Sequence, residues 1–481
     1  AESLRGLGVR PGDLVVVTAR NTPSYLLVLL ALTAVGAVPA PSNPEATPFE
    51  LSGLLRQVKP SMVISDRDLA ERLEAARKMT EPDVRVEDVE DVAGDRARSP
   101  SYDGLLGSAV TPDDLAFLIP TSGTTGRAKL VMQTHRAYAW AGEGFPSWLG
   151  LGRDDRLMTS LPLFHINAQA YSVMGSLASG AGLVLLPKFS ASGFLDAARR
   201  HGATEFNAIG AMLEILMRRP ERPDDADSSL RLCYTGPAPT RQRQEEMERR
   251  FGLRIVCGYA MSETPYGLIW PRGTRPFGTL GAPRQHPQLG TVNEARVVGD
   301  GGEVGPGGTG ELLLRNPVVT PGYWEMPDET AAAVVDGWLH TGDLVTVNGD
   351  GTYTFAGRTK DVLRRRGENL SPQEVEEVVV THPSVLECAV VGVPSELTED
   401  EVKAFVVPVP GAEVDVAELR RWAAERLAAF KVPRYWQVLV EMPRTSTSRV
   451  AKHRLPDGHP PDEYDAEAAV VSPRPGRSTD E

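Results

Sequence analysis

Hydrophobic and polar positions along the chain fall into two alternating textures. Short runs rich in branched apolar residues read as buried strands: residues 14–19 (LVVVTA), 61–65 (SMVIS), 117–119, 183–186 and 254–257. Between them lie stretches with apolar residues at helical spacing, residues 24–35 being one. Strands separated by helices predict an α/β architecture with largely parallel sheets. Over residues 290–315 the texture changes. GTVNEARVVGDGGEVGPGGTGELLLR alternates short strands with DGG and PGG turns, which predicts a small antiparallel β subdomain.

A second change near Gly357 opens a compact α+β segment. Ser371-Pro372-Gln373-Glu374 reads as a capping box with proline at the first helical position, ahead of VEEVVVTH. Strands are expected over residues 387–393 and 403–409. Asp415 and Glu418 then read as a second capping pair. The helix they open carries Val416, Leu419, Trp422, Ala423, Leu427 and Phe430 as an apolar stripe, which predicts core packing. After Leu455 the chain is rich in Pro, Asp and Ser and reads as a disordered tail.

Composition narrows the class. The 481 residues allow two to four domains at about 150 residues each. Apolar residues at 41% and charged residues at 24% exclude a mainly disordered, collagen-like or coiled-coil chain. The net charge of −13 disfavours nonspecific binding to nucleic acid and insertion at anionic membranes. It leaves room for a local basic site that grips a phosphorylated ligand. Cys233, Cys257 and Cys388 are widely spaced and form no CxxC pair, so inert thiols in a reducing cytoplasm are expected rather than a disulfide framework or a zinc site. The first residues show no basic stretch followed by an apolar core, as a signal peptide would. The most apolar run, residues 25–40, is shorter than the roughly 20 residues a span requires. It also contains Gly36 and Pro39, and reads as a buried helix.

Candidate chemistry concentrates in residues 115–135, LAFLIPTSGTTGRAKLVMQTH. An apolar strand runs into Thr121-Ser122-Gly123-Thr124-Thr125-Gly126, with Lys129 three residues on. The glycines permit tight turns and close backbone approach. Hydroxyls and N–H groups can donate to phosphate oxygens, and Lys129 adds positive charge. The P-loop pattern GxxxxGK[ST] is not met, because Lys129 does not follow Gly126 directly.

TSGTTGRAK resembles the signature phosphate loop of the adenylate-forming superfamily of acyl-CoA synthetases, nonribosomal adenylation domains and luciferases. The resemblance continues in order through LPLFHINAQ (161–169), GYAMSETP (258–265), GWLHTGD (337–343), GRTKDVLRRRGENLSPQEVE (357–376) and PRTSTSRVAKHRL (443–455). FHINAQ and RRRGENLSPQEVE are most similar to the carnitine/crotonobetaine-type and medium-chain acyl-CoA ligases. The resemblance implies an α/β fold with a large N-terminal adenylate-forming domain, ATP- and acid-binding, over 1–357. That domain would comprise two α/β subdomains plus a small antiparallel β subdomain. A small mobile α+β lid domain would follow over 358–457, and a disordered tail over 458–481. It also leads one to expect several tens of residues ahead of Ala1.

The implied reaction has two steps. A carboxylate attacks the α-phosphate of ATP, giving acyl-AMP and pyrophosphate; a thiol, usually that of CoA, then displaces AMP. ATP, Mg²⁺ and CoA are the implied cofactors and substrates. By the resemblance, Glu263 is the magnesium ligand and Tyr259 stacks on adenine. Ser262 stands near the α-phosphate where relatives carry Thr. Gly236, Pro237 and Ala238 lie against adenine. Asp343 holds the ribose hydroxyls with Arg358, and His165 gates the passage between the ATP and acyl pockets. Lys360 is the hinge between domains. Gly367 lines the thiol tunnel, and Arg364, Arg365 and Arg366 attract the phosphates of CoA. The acid pocket draws on residues 167–172, 209–212 and 258–264, where small Ala168, Ala170, Ala208, Gly210 and Ala211 imply room. A homodimer or a carrier-protein partner is also compatible with the family.

The pattern breaks at its last motif, where Ser448 and Arg449 replace the usual Gly-Lys. Arginine keeps the charge but not the compact ammonium. Three accounts stand: Arg449 serves in place of the catalytic lysine, Lys452 substitutes for it, or the first half-reaction differs. Three functions are therefore weighed. The first is an ATP-dependent acyl-CoA ligase. The second is an adenylating ligase with another acceptor, either a carrier-protein thiol or, with nitrite as the activated oxyanion, an aromatic amine. The third is a nonenzymatic nucleotide-binding homologue, against which Lys129, Glu263, Asp343 and Arg358 argue.

Overall fold

The computed structural model describes residues 1–80, 84–94, 110–121, 129–236, 238–359, 363–365, 368–394, 400–427, 429–444, 450–456, 458–460 and 463–466. Strand β1 (Leu14–Thr18) is an unbroken apolar run because both of its faces are covered. Val15 and Val17 enter one core cluster and Val16 another. It lies between β2 (Val38–Ser42) and β3 (Met62–Ser65), with β4 (Arg85–Asp88) beyond β3, all parallel.

The helix Pro23–Ala34 carries Pro at its start and is capped by Thr22, whose side chain accepts from the Tyr25 N–H. Tyr25, Val28, Leu29 and Leu32 are buried on it. The apolar run of residues 25–40 is thus not one helix. It turns at Gly36 (φ +80°) and continues as β2. Pro39 is accommodated because β2 is an edge strand. Among the described residues no helix is long and apolar enough to cross a membrane.

An antiparallel hairpin follows, β5 (Leu115–Thr121) and β6 (Lys129–Thr134), with Thr121 paired to Lys129 across its mouth. Residues 122–126 of the expected phosphate loop lie outside the described residues. The larger sheet contains β7 (Arg156–Thr159), β8 (Gly182–Leu185), β9 (Glu205–Ile209), β10 (Leu232–Gly236), β11 (Arg254–Met261), β12 (Thr264–Ile269) and β13 (Ala282–Pro283). Its order is β13-β12-β11-β10-β9-β7-β8. From β8 to β11 the strands are parallel, as expected, but β12 and β13 run antiparallel. The reversal is local: Met261 pairs with Thr264, leaving Ser262 and Glu263 as a two-residue turn. β14 (Glu294–Gly299) and β15 (Gly302–Glu303) form the expected antiparallel hairpin at a Gly-rich turn.

Cys233 and Cys257 are buried and Cys388 is half-buried; all three are free. Burial pushes each thiol above its ordinary value, which keeps them protonated and inert. Among the described residues no three His, Cys, Asp or Glu side chains are placed to hold a metal.

The chain divides into two compact units. One comprises Ala1–Gly308, Leu312–Thr341 and Val347–Thr354; the other comprises Thr309–Glu311, Gly342–Thr346 and Phe355–Glu481. In the second, strands Val385–Pro394 and Asp400–Pro408 form a long antiparallel pair, with Tyr435–Val438 parallel to the latter. Helices Pro372–Val379 and Val416–Ala424 cover this sheet, and Val375, Leu419, Ala423 and Trp436 meet in its core.

This unit departs from its sequence pattern in three places. Ser371 makes no side-chain cap to the helix Pro372–Val379; its hydroxyl is buried beside Gly357, and Glu374 turns instead to Lys431. Asp415 does cap its helix, through the N–H groups of Ala417 and Glu418. That helix stops at Ala424, however, and Trp422 is half-buried, donating its indole N–H to Thr381. The stretch after Leu455 is not wholly a tail: Tyr464–Asp465 pairs with Tyr435 and Trp436. Fully buried Lys403 reaches back to the Gly458 carbonyl at 2.8 Å and the Glu463 carboxylate at 2.6 Å. A buried ammonium needs such partners, which anchors this segment.

Candidate active site

Parallel strands end in loops at their carboxyl edges, and in open α/β sheets ligands bind there. Gly236 closes β10 at that edge, where a Cβ would stand 2.5 Å from the Gly258 carbonyl oxygen. Only glycine lets β10 and β11 approach so closely at this end. Tyr259 is half-buried on β11 with its hydroxyl directed at the Met261 sulfur, 3.6 Å away. Ala238 packs against the main core, and Pro237 lies outside the described residues.

The turn after β11 carries Ser262 and Glu263. A turn tip is ordinarily exposed, yet Glu263 is only 8% accessible. The segment 320–324 covers it. The Thr320 N–H donates to the Glu263 carbonyl at 2.7 Å, and the Tyr323 hydroxyl donates to the carboxylate at 2.8 Å. Burial, and then the adjoining carboxylate, raise the Tyr323 phenol above its ordinary value, so it stays a donor. The same segment is laced to β6. The Met132 N–H donates to the Gly322 carbonyl, the Trp324 N–H donates to the Leu130 carbonyl, and Tyr323 bridges Val131. Gly322 has φ +139°, and a Cβ there would overlap the Thr330 side chain. Thr330 in turn accepts the Tyr323 N–H at 2.9 Å.

Lys129 leaves the phosphate loop at the start of β6. Its ammonium lies 4.4 Å from the centre of the Tyr323 ring. Gln133, further along β6, donates to the Ser262 carbonyl. The fold thus brings Lys129, Ser262 and Glu263 to one place, with Tyr323 touching both charged members. Tyr323 was not singled out by sequence. Its only local signal, Pro321-Gly322, reads as a turn.

His165 precedes a π-helical stretch, Asn167–Val173, which the spacing of residues did not reveal. Such widened turns are rare and recur at functional sites. Phe164 and His165 have ring centres 4.3 Å apart, and the Asn207 amide on β9 donates to the Asn167 side chain at 2.8 Å. Of the small residues read as leaving room for an acid, only three are described in their surroundings. Ala168, Ala170 and Ala208 are buried in the core, and the surroundings of Gly210 and Ala211 lie outside what is described. Fully buried Arg284 fills the neighbourhood, donating to the hydroxyls of Tyr171 and Tyr234 and to the carbonyls of Pro265 and Leu268.

In the other unit, Asp343 is buried and its carboxylate lies 2.9 Å from the Arg358 guanidinium. Asp343 is not a turn residue, as TGD alone would suggest. It stands within the strand Trp338–Val347, after Gly342 (φ +69°). Lys452 is engaged elsewhere, 2.7 Å from the Glu376 carboxylate. Lys360, Arg366, Gly367 and Arg449, and the side chain of Arg364, lie outside the described residues. Arg365 pairs with Glu401 inside the unit.

The model of the AMP-binding enzyme family matches residues 1–324, and that of the AMP-binding enzyme C-terminal domain matches residues 374–449. The chain belongs to the AMP-binding enzyme family. A feruloyl-CoA synthase from an Amycolatopsis species is 33% identical over 461 residues, covering 94% of this chain and 90% of that protein. A crotonobetaine/carnitine–CoA ligase from Salmonella agona is 30% identical over 473 residues, covering 93% of this chain and 89% of the other. Among solved structures, MatB from Rhodopseudomonas palustris with ATP bound has a TM-score of 0.83 at 28% identity, covering 94% of this chain and 90% of that one. The o-succinylbenzoate CoA synthetase of Bacillus subtilis in complex with its acyl-adenylate has a TM-score of 0.83 at 26% identity, over 95% and 91% of the two chains. This AMP-binding enzyme is an adenylate-forming ligase.

Proposed function

We propose that this AMP-binding enzyme performs two half-reactions with the residues its motifs single out. An oxygen of a small-molecule carboxylate bonds to the α-phosphorus of ATP while the bond to the β-phosphate oxygen breaks, releasing pyrophosphate. The thiol of CoA then bonds to the acyl carbon, and AMP leaves. Lys129 and the 121–126 loop bear the charge of the departing pyrophosphate. Ser262 stands at the α-phosphate, Tyr259, Gly236, Pro237 and Ala238 at adenine, and Asp343 with Arg358 at ribose. His165 separates the ATP from the acid.

Glu263 suits a Mg²⁺ ion. It is a single carboxylate without a surrounding acid cluster among the described residues, and Mg²⁺ characteristically takes one or two carboxylates, phosphate oxygens and water. Bound there, the ion would neutralise charge on the phosphates. The observation that carries the reading is the convergence of a cation, Lys129, and an acid, Glu263, on Tyr323 at the mouth of the β5–β6 hairpin. Lys360 is the hinge about which residues 358–457 turn between half-reactions.

Engagement of Lys452 by Glu376 favours Arg449 as the cation at the attacked phosphate. Because arginine departs from the usual lysine there, a second acceptor or oxyanion is carried as an alternative. Pyrophosphate release over a panel of acids, with and without CoA, tests both. Release with a carboxylic acid followed by CoA-dependent thioester formation is expected. Release only with nitrite and an aryl amine, or transfer only to a carrier-protein thiol, would favour the alternative.

A further inference from the structure

We propose that Tyr323 is the positioning residue of the triphosphate site, holding the Glu263 carboxylate through its hydroxyl and the Lys129 ammonium on its ring. This rests on the roles of Glu263 and Lys129 given above. Its hydrogen bond is unlike those of the neighbouring buried tyrosines. Tyr266 donates to the Trp140 carbonyl and Tyr171 to the Pro265 carbonyl, which is how a structural phenol is usually satisfied. Tyr323 donates instead to a carboxylate across 60 residues of sequence. It is also fixed independently of that bond. Its N–H is held by Thr330, its backbone bridges Val131, and Gly322 before it supplies a conformation closed to other residues. The ring is therefore a fixed reference to which both charged groups are referred.

A phenol suits this task for a physical reason. One O–H donor orients a carboxylate without cancelling its charge, and a ring face attracts an ammonium without cancelling its charge either. A direct Lys129–Glu263 ion pair would neutralise both and leave neither for phosphate or metal. Tyr323 holds the cation and the anion of the site beside each other through its ring and its hydroxyl. Partners that orient metal-binding groups in this way typically contribute about 10- to 100-fold in metal affinity.

Calorimetric titration of the full chain with ATP, in the absence and presence of Mg²⁺ and without acid or CoA, tests the assignment independently of turnover. In the native chain Mg²⁺ tightens ATP binding. Tyr323→Phe keeps the ring and loses the hydroxyl. It should raise the Mg²⁺ concentration needed for that tightening about 10- to 100-fold while Mg²⁺-free ATP binding stays within about twofold. Tyr323→Leu should weaken both. Tyr323→Phe combined with Glu263→Gln should show no loss beyond Glu263→Gln alone, because the hydroxyl acts only through that carboxylate. A normal Mg²⁺ response in Tyr323→Phe, or full additivity with Glu263→Gln, overturns the role of Tyr323 alone. A native chain whose ATP binding ignores Mg²⁺ overturns the reading of Glu263 and this inference with it. If Tyr323→Leu fails to fold, the Phe variant decides the matter by itself. Absence of turnover with every acid and acceptor would count against the proposed reaction and leave these binding readouts standing.

Discussion

Glu205 on β9 is fully buried, and among the described residues neither carboxyl oxygen has a hydrogen-bond partner. Burial, and then the Asp155 carboxylate, push its pKa well above the ordinary 4.5, with Arg231 acting in the opposite direction. The folded chain therefore keeps a proton that the unfolded chain releases above that ordinary value. Stability falls as pH rises through the interval between the two values. Glu205→Gln removes the linkage. The difference in melting temperature between this variant and the native chain should widen in the variant's favour from about pH 5 to about pH 8. A difference that is constant over that range would show the carboxyl is not its source.

Glu263→Gln keeps the shape of the side chain but removes the charge offered to Mg²⁺. Pyrophosphate release should fall by about two to three orders of magnitude, comparable to removing one strong electrostatic contact from an active site. Near-normal release would remove Glu263 from the metal site. Glu263 and Lys129 were legible from their motifs, since each motif is a local run of residues. Tyr323 was not, because its meaning comes from contacts with β6 and the 262–263 turn, both far away in sequence.

At the scale of elements, two helix starts that look equivalent in sequence behave differently. Asp415 accepts two backbone N–H groups, whereas Ser371 accepts none. Asp415→Ala should cost about 1 kcal/mol in urea unfolding of the full chain, and Ser371→Ala should fall within about 0.5 kcal/mol of native. Equal losses at both would contradict the observed caps. The reason Ser371 fails is tertiary: its hydroxyl is packed at Gly357, away from the helix N–H groups. Strands such as β1 and β3 were readable because buried parallel strands are continuous apolar runs. The antiparallel β12 and the π-helical stretch Asn167–Val173 were not, because a two-residue turn and one extra residue per helical turn leave the apolar pattern almost unchanged.

At the scale of the whole molecule, the reaction calls for one chain to serve two chemistries in turn, and the proposed hinge at Lys360 meets that need. Lys360→Pro fixes φ and removes an N–H there. Thioester formation should slow more than pyrophosphate release, measured separately with acid and ATP alone and then with CoA added. Equal slowing of both steps would remove the hinge from Lys360. Such a split is expected where a switch between conformations, rather than bond-making, separates the two steps.

The sequence by itself determined the class of fold, the order of motifs and the family, because the periodicity of apolar residues and the spacing inside each motif are properties of short stretches of chain. Tertiary structure decided which of those motifs meet, that Tyr323 lies between the phosphate-loop lysine and the acid of the 262–263 turn, and that Lys452 is engaged by Glu376. Those outcomes depend on which distant groups are driven out of water together and must then satisfy one another's charge and hydrogen bonds. No local pattern encodes that choice, since it is made by the packing of the sheets as a whole.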